Sequence, residues 1–152
     1  MARFEMEVGN DILKEIENVE MNCHEMLSEM VQAGGEVVYN NVLRNMKNSF
    51  KTTRSLEKGL KLTKVYNTKD DAINVKVGFY GYDPDKKSKK YPNGTPIELI
   101  AMAREYGTSW KNKDGSRVEH EEKNPFFRKS FKKQEVMDAM LKVQKRWLGE
   151  DE

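Results

Sequence analysis

Residues 95–131 begin with TPIELIAMAREYGTS and end with NPFFRKSF, and this stretch decides the fold predicted for the chain. Its opening carries the signals of a helix start. Thr95 is suited to cap an N-terminus, Pro96 to occupy the first helical position, and Glu98 to complete a capping box. Gly107 then supplies a left-handed stop. These signals together predict a short helix.

The predicted short helix is apolar around almost its whole circumference. After Glu98, only Arg104 and Glu105 interrupt the apolar run. Because a helix that is apolar on every side is normally covered by protein, we expect this one to be buried on most sides. Its apolar residues are Ile97, Leu99, Ile100, Ala101, Met102 and Ala103.

A last helix is predicted from Pro125 to about Leu148, with Asn124 as its cap. Its apolar residues, at mostly helical spacing, are Phe127, Phe131, Val136, Met140, Val143 and Trp147. The opposite side is basic and carries Arg128, Lys129, Lys132 and Lys133. These cations lie near the positive end of the helix dipole, so the dipole does not explain them. Either a partner or a solvated surface accounts for the basic side.

The N-terminal part of the chain carries a helical apolar seam whose residues recur in steps of four and three. They are Ile12, Ile16, Val19, Cys23, Met26, Met30, Ala33 and Val37. Asn10 or Asp11 can cap this helix. The pair Gly34-Gly35 indicates a kink or a break, and the pattern then continues to Phe50. We expect one long helix, bent at the glycines, that packs on the domain's own sheet. A coiled coil with a partner is the alternative.

Strands are predicted next. The segment 73–79 alternates apolar Ile73, Val75, Val77 and Phe79 with other residues, which is the period of a half-buried strand. The less regular segment 60–66 should pair with it as an antiparallel hairpin, across a polar turn at 67–71. Because helices must cover such a hairpin, the predicted fold is α+β: a long N-terminal helix and a C-terminal helix on a small antiparallel sheet, with a short buried helix before the last one. A single domain over residues 1–152 is expected.

Two further segments are predicted as exposed, mobile loops, at 80–95 and 110–123. The first is basic, with Lys86, Lys87, Lys89 and Lys90 followed by Tyr91. Such a patch is suited to contact phosphates without reading sequence, because it offers charge and a single aromatic ring.

Two runs in the decisive stretch resemble a known family. Glu105 to Ser109 read E-Y-G-T-S, and Pro125 to Phe131 read P-F-F-R-K-S-F. They resemble the tail-completion or head-tail joining family of tailed bacteriophages, whose members typically carry E-[FY]-G-T-[SK] and then, after a variable loop, P-F-[LIF]-R-x-[AS]-[FL]. The resemblance spans roughly residues 10–145.

An upstream family motif, T-G-x-L-x-x-S-[IL], is matched less fully. Residues 53–56 read T-R-S-L, and Leu60 occupies the last apolar position. Arg54 stands in place of the usual glycine, and Gly59 in place of the usual serine.

The resemblance implies a structural virion protein of the neck or tail end, made in the cytoplasm of the bacterial host. It would form a ring, expected to be hexameric, that completes the tail and joins it to the capsid. Its partners would be further copies of itself, other neck and tail proteins, and genomic DNA through non-specific contact. The tail component could come from a lytic phage or a prophage.

The family motifs would supply packing and turns and no catalytic group. Glu105, Tyr106, Gly107 and Thr108 would shape the turn after the short helix, whereas Pro125, Phe126, Phe127 and Arg128 would dock the last helix. Arg128→Glu is expected to fold normally and to impair assembly.

Charge and composition agree with a cytoplasmic assembly protein. The net charge is +2, but residues 1–40 hold 2 Lys/Arg and 9 Asp/Glu, whereas residues 41–91 hold 13 and 5. In a ring, such segregation would place unlike charges across subunit boundaries; in a monomer it is a surface dipole. The single Cys23 excludes an internal disulfide. No apolar run suits a signal peptide or a membrane span, so no membrane partner is expected.

The sequence offers no catalytic constellation, so an enzyme is not expected. His24 and His120 are not at metal-binding spacing, and no glycine-rich phosphate loop is present. His120 lies among glutamates that could hold a divalent cation weakly, but a solvated acidic loop explains them equally well. No cofactor is predicted. The alternative function is that of a small non-specific DNA-binding accessory protein, using the Lys86 to Lys90 loop and the Arg128 to Lys133 face.

Overall fold

The longest element is α1 (Asn10–Ser49), an α-helix of 40 residues. The structure is a computed structural model that describes residues 10–51 and 54–149, and the side chains of residues 14–51, 55–109, 112–116 and 122–149 within them. Thr53 of the upstream motif and the side chains of Asn10, Asp11, Ile12 and Arg54 lie outside these. The remaining elements are α2 (Arg54–Gly59), β1 (Leu60–Leu62), β2 (Tyr66–Asn67), β3 (Ile73–Asn74), β4 (Val77–Phe79), β5 (Tyr82–Asp83), β6 (Thr95–Pro96), α3 (Ile97–Tyr106), β7 (Thr108–Lys111), β8 (Arg117–Glu121), a 3₁₀ turn (Arg128–Ser130) and α4 (Lys133–Leu148).

The glycine pair of α1 permits close packing and does not interrupt the helix. A Cβ placed on Gly35 would lie 2.7 Å from Cγ2 of Val75 and 2.9 Å from Cδ1 of Leu62. A Cβ on Gly34 would lie 3.1 Å from Cγ1 of Val136. The prediction of one long helix is confirmed, and the two glycines mark where the hairpin and α4 come closest to it.

Only the C-terminal half of α1 is covered. Every described side chain from residue 14 to residue 25 is exposed, among them Ile16, Val19 and Cys23. The expectation that the whole seam packs on the domain is therefore wrong for its first half. The physical reason is that α4 ends at Leu148, level with Glu29, and no described element continues beside α1 past that point.

The predicted hairpin is present as two short antiparallel ladders. Leu60 faces Phe79 in the first ladder, and Tyr66 faces Asn74 in the second. Between the ladders, the first strand advances four residues, from 62 to 66, while the second advances three, from 77 to 74. This extra residue divides the hairpin into two pairs of strands.

Both segments predicted as exposed, mobile loops contain strand residues, although residues 84–94, between β5 and β6, form no strand. β5 pairs with β6, and β7 pairs with β8 in a longer hairpin that turns at residues 112–116. The loop prediction was wrong here because the strands show no apolar alternation. The fold class is α+β as predicted, with two-stranded antiparallel sheets.

Helix α3 differs from the prediction in its N-terminal cap and in how much of its surface is buried. Thr95 does not cap it, because its hydroxyl donates to the carbonyl oxygen of Lys86 at 2.6 Å and Pro96 occupies the cap position. Leu99 and Met102 are exposed, so α3 is buried on one side only, through Ile97, Ile100, Ala101 and Glu105. The residue after the helix is glycine with φ of 75° and ψ of 167°, which is a positive φ but not the left-handed helical stop expected.

The last helix starts later than predicted. Residues 128–130 form a 3₁₀ turn, and α4 begins at Lys133 without a side-chain cap. Phe131 and Trp147, expected to be buried, are exposed. Val136, Met140 and Val143 are partly buried against α1, to which α4 runs antiparallel.

Phe126 lies at the centre of the core and is 1% exposed. Its ring packs edge-on against Phe50 at 5.2 Å and against Phe79 at 6.1 Å between centroids. The other core residues are Val42, Met46, Leu56, Leu60, Phe79, Ile97, Ile100 and Ala101. The core is therefore formed jointly by α1, α2, the hairpin, α3 and the segment before α4.

Candidate functional site

The carboxylate of Glu105 joins the two motifs that carry the resemblance. This side chain is at the end of α3, and the residue is 5% exposed. Its Oε2 accepts the backbone N–H of Phe127 at 2.9 Å, and its Oε1 accepts the N–H of Arg128 at 3.3 Å and the Nε–H of Arg128 at 2.9 Å. Three N–H donors thus bond to one buried carboxylate, so its burial does not leave its oxygens without partners.

We call the hydrogen bonds from Phe127 and Arg128 to the Glu105 carboxylate the bracket. Arg128 and Tyr106 lie on its outer side. The guanidinium of Arg128 lies over the Tyr106 ring, 5.3 Å from its centroid. The arginine side chain remains 53% exposed, so one face of it stays available to solvent. Thr108 contributes differently: its hydroxyl oxygen is buried and has no hydrogen-bond partner among the described residues.

Pro125, Phe126 and Phe127 bring the second motif to the core. Phe126 fills the centre described above, and the Phe127 ring packs at 5.8 Å from that of Phe79. The carbonyl of Pro125 accepts the N–H of Lys129, which closes the turn. This motif therefore anchors the segment before α4 by burial, while Glu105 orients its backbone.

A polar network between α1 and this segment was not predicted. Asn41 donates to the carbonyl of Ser130 at 3.2 Å and to Oε2 of Glu135 at 2.8 Å. Asn45 donates to the Ser130 hydroxyl oxygen at 2.9 Å, and that hydroxyl donates to the carbonyl of Phe126 at 2.6 Å. The spacing of the two asparagines, four residues apart on the covered side of α1, is the sequence signal that could have indicated a shared buried contact.

The network lowers the pKa of Glu135. The hydrogen bond from Asn41 is the largest cause, followed by the hydrogen bond and charge of Lys132, whose ammonium lies 3.2 Å from Oε1. Both partners favour the ionised carboxylate. Glu135 is therefore a charged link between the start of α4 and α1.

The basic residues proposed for binding fall into two groups. Lys86, Lys87, Lys89 and Lys90 are exposed on the connection between β5 and β6, where the ammonium of Lys90 lies 5.5 Å from the centroid of the Tyr91 ring. Arg128, Lys129, Lys132 and Lys133 are exposed in the segment before and at the start of α4. The structure thus leaves all eight accessible, while Arg128 and Lys132 also have carboxylate partners.

An apolar groove lies beside the second motif, and sequence reasoning did not foresee it. It has a volume of about 560 Å³ and is lined by α1, by the hairpin and by residues between 127 and 140. Its walls include Val31, Val38, Val75, Val77, Phe131 and Val136, and Arg128 lies at its border. The ring of Phe131, which is 64% exposed, is the largest apolar group left open to solvent there.

The uncovered part of α1 is the second apolar surface. We call residues 14–28 the overhang. It projects about 22 Å beyond the end of α4 at the rise of an α-helix. Its apolar residues are Ile16, Val19, Met21, Cys23, Met26 and Leu27.

Gly59, the departure from the upstream motif, has a local cause. A Cβ at this position would lie 2.5 Å from Cγ2 of Ile97 and 3.0 Å from the carbonyl oxygen of Tyr80. The usual serine would not fit here without movement of α3. Leu56 and Leu60 of the same motif are buried in the core.

No cluster of three metal-ligating side chains occurs among the described residues. The suggested cation site around His120 lies outside them, because the side chains of residues 117–121 are not described. In the part of the chain that is described, no helix is long and apolar enough to cross a membrane. The candidate site therefore consists of surface features: the turn held by Glu105, two exposed apolar regions and two basic regions.

Comparison with known proteins returned no match to a family model, to a curated protein or to a solved structure.

Proposed function

We propose that this protein is a structural component of the neck or tail end of a tailed bacteriophage, where copies of it form a ring that completes the tail and joins it to the capsid. The observation that carries the proposal is the bracket at Glu105. The E-Y-G-T-S and P-F-F-R-K-S-F runs on which the resemblance rests are 15 residues apart in the chain, yet Glu105 of the first holds the backbone of Phe127 and Arg128 in the second.

The bracket supports an assembly role because of what it positions. It sets the direction in which the chain leaves α3 and re-enters at the segment before α4, and so it fixes both ends of the β7–β8 hairpin between them. The same bracket places Arg128 and Phe131 at the border of the apolar groove. A rigid core that presents a hairpin, a groove and a helical overhang is suited to contacts with several neighbours at once.

Formation of the ring would proceed by addition of subunits, with no chemical turnover. Each subunit would contribute one face of a contact to the neighbour on one side and a different face to the neighbour on the other. Contacts of that heterologous kind close into rings when the rotation between subunits permits it. The hexameric count, the virion location and the neighbouring neck and tail proteins belong to this proposal.

The test is electron microscopy of particles made by a phage or prophage from which the gene has been deleted. Full heads beside separate tails of normal length support a joining role, and overlong tails support a role in capping the tail. Intact infectious particles would contradict the proposal. Supplying the wild-type gene in trans is the positive control, and supplying Glu105→Ala asks whether the bracket is needed.

Non-specific DNA binding is a second candidate, favoured by one observation. The four lysines between Lys86 and Lys90 are exposed on a connection whose base is closed by β5 and β6, so their charge is presented together. Phosphate contacts need such clustered cations and no base-reading groups.

A further inference from the structure

The overhang of α1 and the apolar groove both leave apolar groups uncovered, and they differ in shape. The overhang is convex, whereas the groove is a cleft of about 560 Å³. We propose that the overhang of one copy docks into the groove of the next copy. This inference rests on the proposed ring and names the contact that would hold it together.

The apolar groups of the two surfaces match in kind and in spacing. Ile16, Val19 and Cys23 recur in steps of three and four, so they form a single stripe along the overhang. Val19 is 63% exposed in that stripe. The groove offers valine walls and the open ring of Phe131. Helices that bind in grooves use a stripe of this periodicity to fill an apolar cleft.

The charges around the two surfaces are opposite. The overhang contains one lysine and four glutamates: Lys14, Glu15, Glu17, Glu20 and Glu25. Four residues of the segment 127–136 line the groove. The segment as a whole contains four cations and one acid: Arg128, Lys129, Lys132, Lys133 and Glu135. Unlike charges around an apolar contact steer the two surfaces together and disfavour contact between like surfaces. Pairing of two overhangs would instead bring glutamates against glutamates.

The overhang cannot fill the groove of its own chain. Val31 and Val38 of α1 form part of the groove wall, and the overhang belongs to the same uninterrupted helix. Residues 19 and 35 of an α-helix are about 24 Å apart along its axis, so the uninterrupted α1 carries the overhang away from its own groove. The occupant must be another molecule, and a second copy brings a complementary surface.

Two variants remove the two sides of this contact. Ile16→Gln with Val19→Gln removes the apolar stripe of the overhang without changing charge, and Phe131→Gln removes the open ring of the groove. All three side chains are exposed, so both variants should fold. Tyr82→Gln is the matched control, because Tyr82 is equally exposed and lies in β5, outside both surfaces.

Sedimentation of the purified full chain provides the first readout. We expect concentration-dependent association of the wild type, weakened about tenfold or more by either variant and unchanged in Tyr82→Gln. An equimolar mixture of the two variants should form dimers and nothing larger, because it contains one intact overhang and one intact groove per pair. A wild type that stays monomeric up to about 1 mM overturns the proposal, as does association that neither variant weakens.

Disulfide trapping distinguishes the alternative contact. Because Cys23 is the single cysteine of the chain, Lys132→Cys adds the second partner. Under mild oxidation, Lys132→Cys should form chains of disulfide-linked copies, whereas Tyr82→Cys should not. A disulfide-linked dimer formed rapidly by the wild type would show overhang paired with overhang and would overturn the proposal. If the deletion phage fails to join heads to tails but the variants associate normally, the function stands and this contact does not.

Discussion

Glu105 is buried and Arg128 is half exposed, yet the two side chains form one ion pair at 2.9 Å between Oε1 and Nε. The asymmetry has a clear consequence. The arginine can turn to solvent if its partner is lost, because solvent already reaches it. The carboxylate of Glu105 is buried and cannot reach solvent in the same way. It also accepts two backbone N–H groups.

Glu105→Ala should therefore destabilise the fold far more than Arg128→Ala. Removing the carboxylate leaves the N–H groups of Phe127 and Arg128 unpaired, at a cost of about 2–4 kcal/mol. Removing the exposed arginine should cost less than about 1 kcal/mol. Urea unfolding of both variants and the double variant measures this. Equal losses in the two single variants would mean that the ion pair, and not the backbone contacts, carries the stability.

Truncation of three neighbouring phenylalanines should show how much each of them contributes to the stability of the fold. Phe126→Ala should lose about 3–5 kcal/mol, because Phe126 fills the core. Phe127→Ala should lose less, since Phe127 is only partly buried. Phe131→Ala should change the free energy of unfolding by no more than about 0.5 kcal/mol. Thermal unfolding gives this order, and a large loss for Phe131→Ala would contradict the exposed position of its ring.

The two adjacent glycines of α1 should respond differently to alanine. At both positions, replacement of glycine by alanine should stabilise the helix by about 1 kcal/mol, because alanine has the higher helix propensity. At Gly35 the added methyl would lie 2.7 Å from Val75, which should cost about 1–3 kcal/mol through overpacking. At Gly34 the nearest atoms are 3.1 Å and 3.3 Å away, and one belongs to flexible Met140. Gly35→Ala should thus be the less stable protein in denaturant titrations, and the reverse order would place the close approach at Gly34.

Acid should remove the contribution of Glu135 to stability. The pKa of Glu135 is lowered from its ordinary value of 4.5, first by the hydrogen bond from Asn41. A group whose pKa is lowered by folding stabilises the protein above its ordinary pKa and loses that contribution as the pH falls through the folded value. The difference in unfolding free energy between wild type and Glu135→Gln should be constant near neutral pH and should shrink below about pH 4.5. A pH-independent difference would show that the carboxylate acts only through its shape.

If the basic loop contacts DNA, binding should depend steeply on salt. Each phosphate contact contributes about −0.9 to the slope of log K against log salt, so loss of four lysines should reduce the slope by up to about 3.6. The variant changes Lys86, Lys87, Lys89 and Lys90 to Gln, and Lys129→Gln with Lys133→Gln tests the other face. Fluorescence anisotropy with a duplex of arbitrary sequence measures both. Wild-type protein that fails to bind at low salt would exclude the DNA-binding alternative.

Local periodicity predicted most of the elements but not their surroundings. The alternation from Ile73 to Phe79 and the seam of α1 identified a hairpin and a long helix, because both patterns reflect the geometry of one element. The seam did not reveal that Ile16 and Val19 are uncovered, since a periodic face shows that something can be buried and not what buries it. For the same reason, α3 was expected to be buried on most sides.

The errors at the candidate site have a different origin, namely competition for backbone groups. Pro125 was predicted to begin the last helix. Instead, the N–H groups of Phe127 and Arg128 bond to Glu105, which lies 22 and 23 residues earlier in the chain. A distant carboxylate of this kind leaves no local signal. The β7–β8 hairpin was missed because its strands show no apolar alternation, and α2 was not foreseen because it has only six residues.

Because α1 continues through Gly34 and Gly35 without a break, a rotation of the helix at its contact with the core also moves the overhang. The packing of Gly35 against Val75 sets the tilt of the helix, and the overhang extends that tilt outward. Residue 14, at the tip of the overhang, lies about 32 Å from Gly35 at the rise of an α-helix, so a rotation of roughly 5° displaces it by about 3 Å. A single methyl group added deep inside the fold could therefore shift the spacing between adjoining subunits while leaving every exposed residue unchanged.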